Sequence, residues 1–232
     1  MNDSSRLSDA ALFSTQRHTD HRRKHAEKSP YIDHPLSVER LLSVECGVTD
    51  IDVLAAALLH DIIEDTKTSV EELQNRFGDE VTKIVLAVTE DKRLPRALRE
   101  KFRVGLDGSG WGIKSSLVKM ADITCNLRDV AASPPVDWSV EQQREYFDGA
   151  VEVVRRLRTV VPQLGEAFSA AYSLKPSKYS SSETNCTHVM VYLHGRSGAT
   201  IRDHEIEKLA GYVAYYRERG AIVTTERGVW IV

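Results

Sequence analysis

From about residue 5 to residue 174 the order of apolar and polar positions carries helix signals, with few stretches that alternate as strands do, and this part of the chain is predicted to be helical. Capping patterns set where helices begin. Thr49 with Asp52, Ser69 with Glu72 and Ser139 with Gln142 each place a side-chain acceptor three residues before a reciprocal partner, which predicts helices from near 50, 70 and 140. Gly78 is expected to end the second of these, because glycine accepts the left-handed conformation that closes many helices, and a further helix follows over about 79–89. The segment VGLDGSGWG at 104–112 holds four of the chain's 13 glycines and predicts a mobile loop.

Around 175–186 the sequence KPSKYSSSETNC is polar, serine-rich and broken by proline, as a linker is. Beyond it the period changes. THVMVYLHG, AIVTTE and VWIV read as strands, the last two forming a hairpin at Arg227-Gly228, and between them Ile206, Leu209, Ala210 and Val213 make an apolar face at helical spacing. The fold class expected is therefore mainly α over 1–174, a linker at 175–186, and a small C-terminal α+β module of βαββ order over 187–232. A module this small is expected to pack on the helical domain or on a second subunit, which leaves a homo-oligomer open.

Composition narrows the chemistry. With 232 residues, 41% hydrophobic and 28% charged, the chain is expected to fold rather than stay disordered. A net charge of -3 gives no global basic field, so nucleic acid is not expected as a partner and any polyanionic ligand must be met by local cations. Cys46, Cys125 and Cys186 are odd in number and far apart, which fits neither a disulfide framework nor a thiolate zinc site and suits a reducing cytoplasm. The acidic, serine-rich start is unlike a signal peptide, and no run reaches membrane-spanning length.

The most informative segment is ALLHDIIEDT at 57–66, expected on a helix. An isolated His-Asp pair is usually a surface feature with a capping role. Here His60 and Asp61 have candidate partners in His34 of YIDHP and Asp122 of KMADITCNLRD, and together they make a mixed nitrogen and oxygen set. Such a set suits Mn²⁺ or a similar ion that keeps water ligands, rather than a closed structural zinc site. Glu64 and Asp65 follow a turn later, so that one helix is expected to stack four acidic or metal-binding groups in six residues. Like charges so placed repel unless a divalent cation and a water to be deprotonated relieve them.

The segments YIDHP, LLHDIIEDT, FGDEV with VTEDK, and KMADITCNLRD occur in the order and spacing of the RelA/SpoT-type HD hydrolases, and the chain resembles that family over about 10–172. It is most similar to the single-domain small alarmone hydrolases typified by the metazoan SpoT homologue, with His21 to Lys24, Asp91 to Pro95 and Glu145 to Phe147 in place of their corresponding segments. The resemblance implies a helical HD fold, Mn²⁺ held by His34, His60, Asp61 and Asp122, and Glu64 and Asp65 acting on the attacking water. It also implies a small nucleotide as substrate. The residues after the linker are too few for the synthetase domain of the bifunctional relatives. Two departures stand out: Ile123, Thr124 and Cys125 replace a basic residue, leucine and an aromatic or histidine, and Gln142 stands where an arginine is expected, with Arg144 a half-turn on.

A nucleotide bearing pyrophosphates needs cations that stay charged, and Arg23, Lys24, Lys92 and Arg96 are the candidates, with Arg144 in addition. A run such as HRRKH is otherwise a solvated helix end. Asn126, a turn after Asp122, is read either as a ribose or phosphate contact or as a surface amide; Tyr146 either as a phenol at the pocket rim or as core packing. His18 is read as a buried structural histidine. The expected reaction is removal of the 3′-pyrophosphate from guanosine tetra- and pentaphosphate, giving GDP or GTP. The alternatives are another nucleotide phosphohydrolase, such as one that takes the 2′-phosphate from NADPH, and a non-catalytic nucleotide-binding regulator.

Overall fold

Asn2 starts the first helix of the computed structural model by accepting the Ser5 amide, and α1 (Asp3–Arg17) follows. The structure describes residues 2–25, 27–90, 112–157 and 161–177, together with the backbone of 188–193, 196–202, 224–226 and 229–231. Helix α2 (Asp33–Arg40) continues into one wider π-helical turn, Leu41–Glu45. Helix α3 (Ile51–Leu59) is capped by Asp50, whose carboxylate accepts the amides of Asp52 and Val53. The cap therefore falls one residue after the predicted Thr49, because an ionised carboxylate is the better acceptor against the positive end of a helix. A short α4 (Ile62–Asp65) comes next.

Ser69 caps α5 (Val70–Phe77) and Ser139 caps α8 (Val140–Val154) in a reciprocal box with Gln142, both as their spacing predicts. Between α5 and α6 (Asp79–Val88) stands Gly78 at φ 87°, ψ 173°. This is not the left-handed helical closure expected but an extended conformation with positive φ, which is open essentially to glycine alone. Helices α7 (Ile113–Ala132) and α9 (Pro162–Tyr172) complete the helical set among the described residues.

Helix α3 is the centre of the N-terminal unit. Every side chain from Val53 to Leu59 is buried, and α1, α2, α6 and α7 pack around it. A helix apolar on all sides can be satisfied only by such enclosure. Its three consecutive alanines, Ala55 to Ala57, let those neighbours approach, and larger groups such as Phe13, Leu41, Leu73, Phe147 and Leu164 fill the remaining core. No helix among the described residues is long and apolar enough to cross a membrane.

The chain divides into two compact units, Met1–Leu174 and Lys175–Val232. In the second, β1 (His188–Leu193), β2 (Arg196–Arg202), β3 (Thr224–Glu226) and β4 (Val229–Ile231) form one sheet in the order β2-β1-β4-β3. β1 runs antiparallel to β2 and parallel to β4, while β3 and β4 are antiparallel with Glu226 opposite Val229. β2 was not among the predicted strands: RSGATIR has a glycine and two arginines and lacks a β-branched run, and its state is set by pairing with β1. The helix expected across Ile206 to Val213, most of the linker at 175–186, and the glycine-rich loop up to residue 111 lie outside the described residues.

Candidate metal centre

Successive side chains on a regular helix point about 100° apart, so His60 and Asp61 could not meet at one point if the helix ran straight through them. It does not. Where one continuous helix was expected over 57–66, α3 ends at Leu59, Asp61 takes φ -95°, ψ 0°, and α4 starts at Ile62. The break lets His60 Nε2 and Asp61 Oδ2 approach to 3.1 Å, while the Asp65 amide still donates to the Asp61 carbonyl at 2.9 Å. His60 and Asp61 thus sit on the link between the helices, while Glu64 and Asp65 sit on α4.

His34 enters from the first turn of α2, and its Nε2 lies 3.2 Å from Oδ1 of Asp122, which stands in the middle of α7. His60 Nε2 is 3.7 Å from the same oxygen. One ligand atom from each of His34, His60 and Asp122 falls within 4.8 Å of the others, and all three residues are buried. Asp61 is not part of that mutual cluster but joins it through His60.

The donor chemistry fits a divalent cation. The Nδ1 of His60 faces the Ala57 carbonyl at 2.8 Å, and since a carbonyl only accepts, Nδ1 carries the hydrogen and Nε2 is left toward the carboxylates. That nitrogen makes no well-aligned hydrogen bond, although it lies 3.1 Å from Asp61 Oδ2. Burial alone would lower the His60 pKa, but the Asp61 and Asp122 carboxylates override it and raise it to about 9. Burial likewise pushes the Asp61 and Asp122 carboxyls up, and it is outweighed for Asp61 chiefly by His60 and for Asp122 chiefly by Lys119, with His34 and His60. Both end well below the ordinary carboxylate range. A pocket that stabilises positive charge on His60 in this way is one that a metal ion satisfies, and His34, His60, Asp61 and Asp122 are the residues that could hold it.

Three residues tie these groups in place. Asn126 donates to Asp122 Oδ1 at 2.6 Å, as a residue one turn along the helix can, and accepts from Arg23 at 3.0 Å. Lys119 and Tyr31 were not singled out in the sequence. Lys119 Nζ lies 2.9 Å from Asp122 Oδ2, and the carboxylates around it, Asp122 first, overcome burial and raise its pKa. The Tyr31 hydroxyl donates to Asp61 Oδ2 at 2.5 Å. The signal for Lys119 was its place three residues before Asp122 in KMAD; for Tyr31 it was its place three residues before His34 in YIDHP.

The other predicted residues are brought in unevenly. Arg23 is largely buried, bonded to Asn126 and Asp129, with its guanidinium carbon 5.7 Å from the centre of the Tyr31 ring, whereas its neighbour Lys24 is exposed. Glu64 accepts the Glu90 amide at 3.0 Å and so fastens the end of α6 to the site. Asp65 is half-buried at the end of α4, and its charge acts on both His18 and Tyr31. Tyr146 packs against the core with its ring centre 5.2 Å from that of Trp138, and Arg144 is half-buried on the same helix, α8. Lys92 and Arg96 lie outside the described residues. His18 is buried, its ring stacked 4.8 Å from Tyr31, and desolvation lowers its pKa to about 4.

The HD-domain family matches residues 10–148, and the chain belongs to it, in the RelA/SpoT-type branch. It is 46% identical over 156 residues to the guanosine-3′,5′-bis(diphosphate) 3′-pyrophosphohydrolase MESH1 of Xenopus tropicalis, covering 67% of this chain and 87% of that protein. With the human enzyme of the same name it shares 44% over 166 residues, 71% of this chain and 92% of the relative. A solved structure of a metazoan orthologue of SpoT, reported to hydrolyse ppGpp and to play a role in starvation responses, superposes with a TM-score of 0.68 at 34% identity, over 72% of this chain and 93% of that one.

Proposed function

We propose that this protein is a Mn²⁺-dependent hydrolase that removes the 3′-pyrophosphate of guanosine tetra- and pentaphosphate, leaving GDP or GTP and pyrophosphate. The observation that carries this reading is the convergence of His34, His60 and Asp122, with Asp61 beside them, in a chain that matches the MESH1 pyrophosphohydrolases over most of their length. Nitrogen and oxygen donors without thiolate suit Mn²⁺. A bound ion of this kind supplies Lewis-acid polarisation and a water of lowered pKa.

The chain's own residues supply the rest. Asp65 accepts the proton of the attacking water, and Glu64, held by the Glu90 amide, orients that water. Arg23 presents a fixed guanidinium to phosphate, positioned by Asn126, Asp129 and the Tyr31 ring. Lys24, Lys92, Arg96 and Arg144 add positive charge, and Asn126 and Tyr146 contact the nucleoside. Residues 1–174 form the hydrolase domain, 175–186 a linker, and 187–232 a small accessory module, containing the sheet of β1 to β4, that the chemistry does not need. The setting is the cytoplasm, where such a substrate is found.

The test is product analysis by ion-exchange chromatography after incubation with Mn²⁺ and either ppGpp or NADPH, on the full chain and on a chain ending at Leu174. GDP and pyrophosphate from ppGpp are expected from both. Phosphate release from NADPH with ppGpp left intact would overturn the substrate. A folded 1–174 protein that has lost turnover would show that the tail completes the site.

A further inference from the structure

The turn leading into α2 places a half-buried phenol, Tyr31, against the candidate metal centre, and its ring is fixed from several directions. The His18 imidazole stacks on it at 4.8 Å with 27° between the planes, the His34 ring meets it at 6.2 Å and 67°, and the Arg23 guanidinium lies over it at 5.7 Å. A ring so packed has little freedom to turn, and the direction of its hydroxyl is set by that packing. The hydroxyl donates to Asp61 Oδ2 at 2.5 Å, the same oxygen that lies 3.1 Å from His60 Nε2.

A carboxylate on the short, irregular link between α3 and α4 has no regular helix to orient it. Its side chain can swing about χ1 and χ2, and a swing would take it away from His60 and Asp122. The shared hydrogen bond opposes this. Asp122 has the equivalent support from Lys119 and Asn126, and the hydroxyl of Tyr31 donates to Asp61 from outside the ligand set.

We propose that Tyr31 is a positioning residue for Asp61: its hydroxyl holds the carboxylate facing His60 so that both reach one ion, and its ring couples that hold to Arg23, the candidate phosphate contact. The inference rests on the metal reading of the site given above. A phenol that merely fills space would do so equally well without its oxygen, and this separates the two roles.

The experiment is calorimetric titration of Mn²⁺ into chelator-stripped wild type, Tyr31→Phe and Tyr31→Leu, with melting temperatures measured with and without the ion. Removing a partner that orients a ligand typically costs 10- to 100-fold in metal affinity. Tyr31→Phe is expected to show that loss while keeping the melting temperature of the metal-free protein, and Tyr31→Leu to lose affinity and melting temperature together. A Tyr31→Phe protein that binds Mn²⁺ as wild type does overturns the positioning role, whether or not its melting temperature falls. Wild type that binds no Mn²⁺ overturns the metal centre itself, and the inference with it.

Discussion

The two ends of the candidate site are built by different rules. At the ligand end His34 and Asp122 come from two helices and His60 and Asp61 from the link between two more, all lie buried or nearly so, and each carboxylate is held by a named neighbour. At the cation end Arg23 is clamped on Asn126 and Asp129, Lys24 beside it is exposed, and Tyr146 packs on Trp138. Buried polar groups must find partners or cost the fold several kcal/mol, so their geometry is dictated by packing. An exposed lysine answers to no such demand, and its role is decided only when ligand arrives.

The sharpest way to break this contrast is to alter two carboxylates one turn apart, Asp61 at the helix break and Asp65 at the end of α4. Asp65→Asn keeps size but cannot accept a proton at neutral pH, and it is expected to retain Mn²⁺ while losing about 10² to 10⁴ in turnover. Asp61→Asn is expected to weaken Mn²⁺ itself, with partial rescue by excess ion. Turnover and calorimetry on both decide it, and an Asp65→Asn protein that turns over normally removes Asp65 from the chemistry.

Next in size is Lys119, whose ammonium lies among carboxylates that a bound metal ion would also neutralise. Removing one partner of a buried pair costs about 3 kcal/mol or more. Lys119→Met is expected to destabilise the metal-free protein by that order in urea unfolding and the Mn²⁺-saturated protein by less, because the ion then carries the compensating charge. Equal losses in the two states contradict this.

The smallest effect concerns His18, which lies behind Tyr31 outside the ligand set. Burial first, only partly offset by Asp61 and Asp65, lowers its pKa from 6.5 to about 4 in the folded protein. The unfolded chain therefore takes up the proton first as the pH falls. The stability that His18 contributes is complete above about pH 6.5 and is lost progressively toward pH 4, by roughly 2 kcal/mol at pH 5. Urea unfolding at pH 7 and pH 5 should show that His18→Gln loses less stability between the two than wild type does. Identical losses would mean that His18 is not held neutral.

Much of this was legible in the sequence where local rules apply. The caps at Ser69 and Ser139 rest on side chains three residues from their partners, and both form. The predicted ligands His34, His60 and Asp122 meet because each sits on or at the end of a helix whose formation is local, and these helices pack around the apolar α3. What was not legible depended on tertiary contact. The break at His60–Asp61 is invisible in a run that reads as helix, since the groups facing it are Tyr31, on the turn leading into α2, and Asp122 on α7. β2 exists through its pairing with β1. Tyr31 and Lys119 were overlooked because a tyrosine and a lysine are common near a helix start and on a helix face, and only their partners 30 and 3 residues away mark them.

One further consequence lies in how far apart the ligands are along the chain. His34 and Asp122 are separated by 88 residues, yet their side chains meet. An ion held between them closes a loop that contains α3, α4, α5 and α6, and so acts on chain entropy as a cross-link does. It would differ from a disulfide in being removable without a redox partner: on the proposed reading an ion at this site would be at once reagent and reversible staple, and chelation is expected to loosen the domain as it silences the chemistry.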